Sequence, residues 1–92
     1  MLYLIHCLDK AGSGDVRKDN LPVHVEYLKS KPIDIVMAGP MIGDDGESVI
    51  GSFLVVEAEN RAEAETFSAN DPYANAGPFD SVLINAWKKT VG

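Results

Sequence analysis

An α+β fold with elements in the order β-α-β-β-α-β is what three observations on this 92-residue sequence predict. Short β-rich apolar runs open and close the chain, at Met1–Leu8 and Phe79–Trp87. Two more, Ile33–Met41 and Val49–Ala58, are joined by Gly43-Asp44-Asp45-Gly46, which is turn chemistry. Between these runs lie two stretches with helical start and stop signals.

In the first run Leu2, Leu4, His6 and Leu8 share one strand face, and Tyr3, Ile5 and Cys7 the other. Asp9–Asn20, polar and carrying two glycines, reads as a loop with at most a helical turn. A first helix is expected to begin near Asn20, an N-cap residue, with Pro22 in its opening turn. Leu21, Val25 and Leu28 then form its apolar stripe, with His24 at the edge. Lys29 and Lys31 suit the C-terminal end of the helix dipole, and Pro32 closes the segment.

The second strand ends in Ala38-Gly39-Pro40-Met41, and Gly51 in the third signals a bulge or a close backbone approach. Asn60 with Glu63 resembles a capping box for a second helix, whose buried side is expected from Ala62, Thr66, Phe67 and Ala69. Pro72 disfavours helical geometry for Asp71, so the helix stops at a stiff corner before the last strand.

Two right-handed crossovers in this order interleave into a four-stranded antiparallel sheet with both helices on one face, the ferredoxin-like arrangement. The first strand and Phe53-Leu54-Val55-Val56 are apolar on both sides, so the other sheet face stays apolar and uncovered. A bare apolar face on the order of several hundred Å² is unusual for a monomer, which predicts a homodimer through it. Packing of the same chain's loop and C-terminal residues over that face is the alternative.

Composition removes several classes. The chain is short enough for a single domain, 1–92, with a modest core. Eight basic against fourteen acidic residues, net −6, disfavour a nucleic-acid surface or adhesion to anionic membranes. One cysteine rules out an internal disulfide and a multi-cysteine metal site. No run approaches the roughly 18 apolar residues of a membrane span, and no basic region precedes the first apolar run, so a cytoplasmic protein is expected. The Gly43–Gly46 turn lacks P-loop and EF-hand patterns, Lys88-Lys89 is a small basic group, and the glutamates at 57, 59, 63 and 65 read as a solvated face. No metal and no cofactor is expected.

The candidate site is His24 with Asp71. A carboxylate bonded to one imidazole nitrogen fixes the tautomer and leaves the other nitrogen for proton transfer. Each residue has a plainer reading: His24 as a helix-flank histidine, Asp71 as a cap for the backbone after Pro72. Pro40 and Tyr73 are candidates for the wall of a substrate pocket; packing beneath the corner is the alternative for Tyr73. His6 reads as structural or interfacial, and Cys7 as a small buried apolar residue.

Met-Leu-Tyr-Leu-Ile, Leu21-Pro-Val-His24-Val-Glu-Tyr-Leu, Ala38-Gly-Pro-Met41 and Asn70-Asp-Pro-Tyr73 with Ala-Gly-Pro-Phe79 together resemble the YciI-like (YCII-related) family, in that family's order and over nearly the whole chain. The resemblance implies a dimeric α+β barrel assembly of ferredoxin-like subunits, similar to muconolactone isomerase, and a site in which His24 and Asp71 match the family's His and Asp. Many relatives carry an arginine before the helix proline, where this chain has Leu21, leaving Arg17 or Lys18 to meet an anionic substrate. A glycine common before the second strand is replaced by Lys31-Pro32-Ile33-Asp34. One branch of the family eliminates chloride from a chlorinated hydroxyhydroquinone.

Two readings follow. The first is a small-molecule enzyme without a cofactor, eliminating or isomerising a cyclic or aromatic compound, with His24 as acid or base and Asp71 as its orienter. The second is a non-catalytic dimeric module that binds a metabolite or a protein.

Overall fold

The computed structural model describes all 92 residues, Met1–Gly92. Its elements are β1 (Leu2–Asp9), α1 (Gly14–Lys29), β2 (Asp34–Ile42), β3 (Val49–Glu57), α2 (Arg61–Asn70), α3 (Pro72–Ala76) and β4 (Phe79–Trp87). The strands form one sheet in the order β2-β3-β1-β4, antiparallel throughout. This is the ferredoxin-like topology, with β1 and β3 at the centre and β2 and β4 at the edges.

The period-2 alternation of β1 sorts its side chains. Tyr3, Ile5 and Cys7 join Leu54 and Val56 of β3 and Ile84 of β4 against Ala64 and Phe67 of α2, making the core. Tyr27 and Leu28 of α1 pack on the same cluster, so both helices cover one sheet face. Tyr27 stacks on Phe67 at 5.4 Å and donates its hydroxyl to the Phe67 carbonyl at 2.8 Å, tying α1 to α2.

The opposite face carries the partners of Leu4, His6 and Leu2: Val55 and Asn85, Phe53 and Leu83, and Trp87. Leu83 there is 57% exposed and Met37 53%. No element of the chain covers this face. His6 lies within it with its Nδ1 buried and unpaired.

Several expectations need correction. Helix α1 begins at Gly14, not near Asn20, so most of the supposed loop is helical and Pro22 sits inside the helix. Pro22 lacks the N–H that would bond back to the Lys18 carbonyl, a loss that tertiary contacts of the preceding turn must offset. Those contacts are made by Arg17. The buried residues of α1 are Arg17 and His24, whereas Leu21 is 47% exposed, so the apolar stripe is displaced and His24 is central rather than at its edge. In α2 the buried residues are Ala64 and Phe67; Ala62, Thr66 and Ala69 face solvent. The corner after Asp71 is itself a short helix, α3, closed by Gly77 in the left-handed conformation with φ 77°.

Asn60 caps α2 by accepting the Glu63 N–H at 2.9 Å. Asp45 accepts the N–H groups of Glu47 and Ser48 and the Ser48 hydroxyl, which holds its carboxyl down at about 2 and organises the β2–β3 turn.

Gly51 is a close-approach glycine. A Cβ there would lie 2.1 Å from the Cys7 carbonyl oxygen and 2.5 Å from Met41 Cε. Because the first obstacle is backbone, Gly51→Ala should destabilise by about 1–3 kcal/mol through overpacking. Gly39→Ala, which meets nothing within 4 Å, should be far milder. Urea denaturation of the two variants provides the measurement.

Burial, with Asp71 next in importance, pushes the Cys7 thiol up to about 12. The thiol is therefore neutral in the folded state while the unfolded one ionises from about pH 9, its ordinary value. The folded-state pKa is the higher one, so this contribution to stability is complete below that pH and is lost as pH rises toward 12. Urea midpoints should fall over that window, and less so in Cys7→Ala. Iodoacetamide should label Cys7 only once the protein unfolds.

Candidate active site

Arg17 and His24 stand seven residues apart on α1, two helical turns along one face. Between them and the sheet enters the α2–α3 corner. Asp71 ends α2 in extended backbone geometry, as Pro72 demands, and this aims its carboxylate back toward α1. Its Oδ1 lies 2.8 Å from His24 Nδ1 and accepts the Tyr73 N–H at 2.9 Å. The cap and the imidazole contact are thus one arrangement, not alternatives: a single oxygen starts α3 and fixes the histidine ring. Both side chains are about nine-tenths buried.

Tyr73, fully buried, stacks on His24 with ring centroids 4.0 Å apart and planes at 11°. The Arg17 guanidinium carbon lies 4.8 Å from the centre of the same tyrosine ring. The Tyr73 hydroxyl donates to the Arg17 backbone carbonyl at 3.3 Å. Burial raises the Tyr73 pKa; Arg17 opposes this, while Asp71 and Asp9 add to it, so the phenol stays protonated at neutral pH.

Arg17 is itself held. Its Nε and Nη2 donate to the two oxygens of Asp9 at 2.7 and 2.8 Å, and Nη2 also reaches the Ser52 hydroxyl at 3.0 Å. Burial alone would ease deprotonation, but the Asp9 hydrogen bonds and charge outweigh it and keep the guanidinium charged. This bidentate geometry is the strong form of the interaction.

These groups border a cavity of about 230 Å³ between α1 and the sheet, walled by His24, Arg17, Tyr73, Pro40, Ser52 and Leu54 among others. Pro40 reaches it because of a bulge. The β2–β3 register shifts between Ile35 and Met37, so Ala38 and Pro40, opposite Leu54 and Ser52, take the helix side that strict alternation would have given to Met37 and Gly39. Asp71 does not line this cavity; it borders a separate void of about 10 Å³ behind the imidazole, beside Cys7 and Ser68. A larger hollow of about 640 Å³ continues past Val25 and Leu28 to Lys29, Lys31 and Ile33. It is more open and contains no His–Asp or Arg–Asp pair.

With Nδ1 engaged by a carboxylate, His24 retains Nε2 as the nitrogen able to give or take a proton. No cluster of three His, Cys, Asp or Glu side chains is placed to hold a metal. Asp9 and Ser52 were not singled out by sequence reasoning, and Arg17 only as a substitute for the arginine that relatives carry where this chain has Leu21. The signal was present in the seven-residue spacing of Arg17 and His24, which is a shared helix face only if the stretch before Asn20 is helical.

The sequence and the fold have known counterparts. The YCII-related domain profile matches residues 1–88. Protein YciI of Escherichia coli O6:H1 is 31% identical over 96 residues, covering 97% of this chain and 98% of that protein. Among solved structures, 5-chloro-2-hydroxyhydroquinone dehydrochlorinase (TftG) from Burkholderia phenoliruptrix AC1100, in complex with 2,5-dihydroxybenzoquinone, superposes with a TM-score of 0.87 at 38% identity, covering 98% of this chain and 96% of that one. Protein Atu4242 of Agrobacterium tumefaciens, with a TM-score of 0.59 at 14% identity and coverage of 98% and 94%, shares the fold. The match over nearly the full length, together with the identity to YciI, makes this chain a member of the YciI-like family of YCII-related domains.

Proposed function

We propose that this protein is a small-molecule enzyme that works by proton transfer, with His24 as general acid or base and Asp71 as the group that orients it. The observation that carries this reading is the His24–Asp71 hydrogen bond at 2.8 Å, made by a ring that also walls a cavity. A cavity of about 230 Å³ suits a single substituted ring rather than a polymer or a dinucleotide. Pro40 and Tyr73 form part of its wall, Tyr73 chiefly by keeping the imidazole plane fixed. The similar dehydrochlorinase, which is named for a chlorinated hydroxyhydroquinone and was solved with a dihydroxybenzoquinone, supports elimination or isomerisation of a cyclic or aromatic compound.

In this scheme neutral His24 donates its Nδ1–H to Asp71 and presents the Nε2 lone pair to an acidic C–H of the substrate. The resulting imidazolium is stabilised by the carboxylate behind it, and it returns the proton in the second half of the reaction. No cofactor is required by such chemistry.

We further propose that the active form is a homodimer through the uncovered sheet face. The exposed Met37 and Leu83, with Trp87 beside Leu2, supply the apolar area, and the unpaired His6 Nδ1 is the kind of polar atom a partner satisfies.

General acid–base catalysis contributes about 10²–10⁴-fold, so His24→Ala should lower turnover by that order, and Asp71→Asn by a smaller factor with the fold intact. The assay is deuterium exchange and halide release from a panel of halogenated hydroxyhydroquinones and cyclic enones; undiminished activity in His24→Ala removes the mechanism. Sedimentation should give a dimer at micromolar concentration and a monomer for Leu83→Glu. A wild-type monomer would reject the assembly.

A further inference from the structure

The larger hollow is continuous with the cavity at His24. Val25 and Leu28 of α1 and Ala38 of β2 border both, so the space of about 230 Å³ beside the imidazole opens into the one of about 640 Å³. The remaining wall of the larger space is apolar at Ile33 and Ile35 and charged at Lys29, Lys31 and Asp34. Along α1 the rise from His24 to Lys29 is about 7.5 Å, the reach of a short chain rather than of a ring. None of the three charges is compensated within the chain, whose ion pairs are Met1–Glu57, Arg17–Asp9, His24–Asp71 and Arg61–Glu65. Two free ammonium groups against one carboxylate make this end of the hollow positive on a protein of net charge −6.

Lys31 carries the sharper signal. With φ 53° it is the one non-glycine residue of the chain in the left-handed region, just past the end of α1. Helices commonly place glycine there, because glycine has no Cβ to clash. A side chain kept in that conformation at a steric cost points to a use for the side chain. Capping the helix is not that use. The carbonyls of Glu26 and Tyr27 accept the Ser30 N–H at 3.0 and 3.2 Å, and that of Leu28 accepts the Lys31 N–H at 3.1 Å. A glycine at position 31 would make the same backbone bond. What it would lack is the ammonium at the edge of the hollow.

We infer that the larger hollow is a second subsite, which takes an apolar arm of the ligand and holds a carboxylate at the arm's end between Lys29 and Lys31. The ligand class is an amphipathic carboxylate: a compact head beside His24, an alkyl or acyl arm along Val25, Leu28, Ala38 and Ile35, and a terminal anion. The apolar wall supplies most of the affinity, since each methylene laid on it leaves water. The lysines supply selection. Both are exposed, so salt screens them and their preference for an anion is a matter of a few-fold. Asp34 works against that preference from the same wall. Calling this ligand the substrate rests on the acid–base reading of His24; its binding does not.

The probes are phenylalkanoates of increasing arm length, from phenylacetate to 8-phenyloctanoate, and their primary amides, titrated calorimetrically at low salt. Affinity should rise by up to about fourfold per methylene as the arm lengthens. The longer acids should bind about three- to tenfold tighter than their amides, a margin that shrinks as salt is added. NMR methyl signals of Val25, Leu28 and Ile35 should shift on binding. The double variant Lys29→Gln/Lys31→Gln should make acid and amide equal, and Asp34→Asn should widen the margin. Lys31→Gly should narrow the margin while raising the melting temperature, because the left-handed strain leaves with the ammonium. A lysine with only a structural role does not predict that opposition. All three positions are exposed, so these variants fold. Equal binding of acids and amides by the wild-type protein, affinity that ignores arm length, a margin that survives loss of both lysines, or one that shrinks in Asp34→Asn overturns the inference. His24→Ala should keep the margin. A kept margin with no His24-dependent exchange chemistry rejects the acid–base reading and leaves the subsite, whereas exchange chemistry with no margin rejects the subsite alone.

Discussion

One carboxylate oxygen organises the interior of this protein. Asp71 Oδ1 ends α2, starts α3 by accepting the Tyr73 N–H, and holds His24 of α1. Removing a carboxylate from such a buried arrangement would strand the histidine and the α3 backbone at once, and buried polar groups left unpaired are costly. Through Tyr73 the same corner reaches Arg17, since the tyrosine hydroxyl bonds the Arg17 carbonyl and its ring lies under the guanidinium. The helix, the corner and the sheet end are thereby registered against one another to within a hydrogen bond.

An α-helix packed on a sheet ordinarily buries an apolar stripe. Here α1 buries an arginine and a histidine and leaves Leu21 and Val23 exposed. That inversion is tolerable because each buried group has a partner from another element: Asp9 at the end of β1 and Ser52 of β3 for Arg17, and Asp71 for His24. The apolar core lies nearer α2, where Phe67 and Ala64 meet Tyr3, Ile5 and Val56. The fold therefore separates a dry half that supplies stability from a polar half that encloses a cavity. Stability and site are drawn from different ends of the same sheet face.

The two sheet faces also differ in their cover. The helix face encloses a cavity beside its buried charged pairs, while the open face carries exposed apolar side chains and no covering layer. A ferredoxin-like subunit with helices on one side only leaves that second face bare by construction, whatever its chemistry.

Strand order, the two main helices and the location of the Asp71 corner were legible in the sequence because they rest on local signals: period-2 alternation, the Asn60 cap, and Pro72 barring helix at the residue before it. His24 and Asp71 were legible as residue types. Their pairing was expected from the stiff corner and from the family resemblance, but its geometry was decided by packing, since nothing local relates positions 47 apart. The start of α1 was misread because residues 14–20 carry two charges of each sign and little apolar pattern; they are helical because Arg17 is pinned from outside by Asp9 and Ser52. The bulge in β2 that turns Pro40 into the cavity left no trace either, as register shifts arise from how two strands pair rather than from either alone. Local backbone preferences could be read one segment at a time; the polar interior, which depends on distant partners satisfying each other, was decided only when the segments packed.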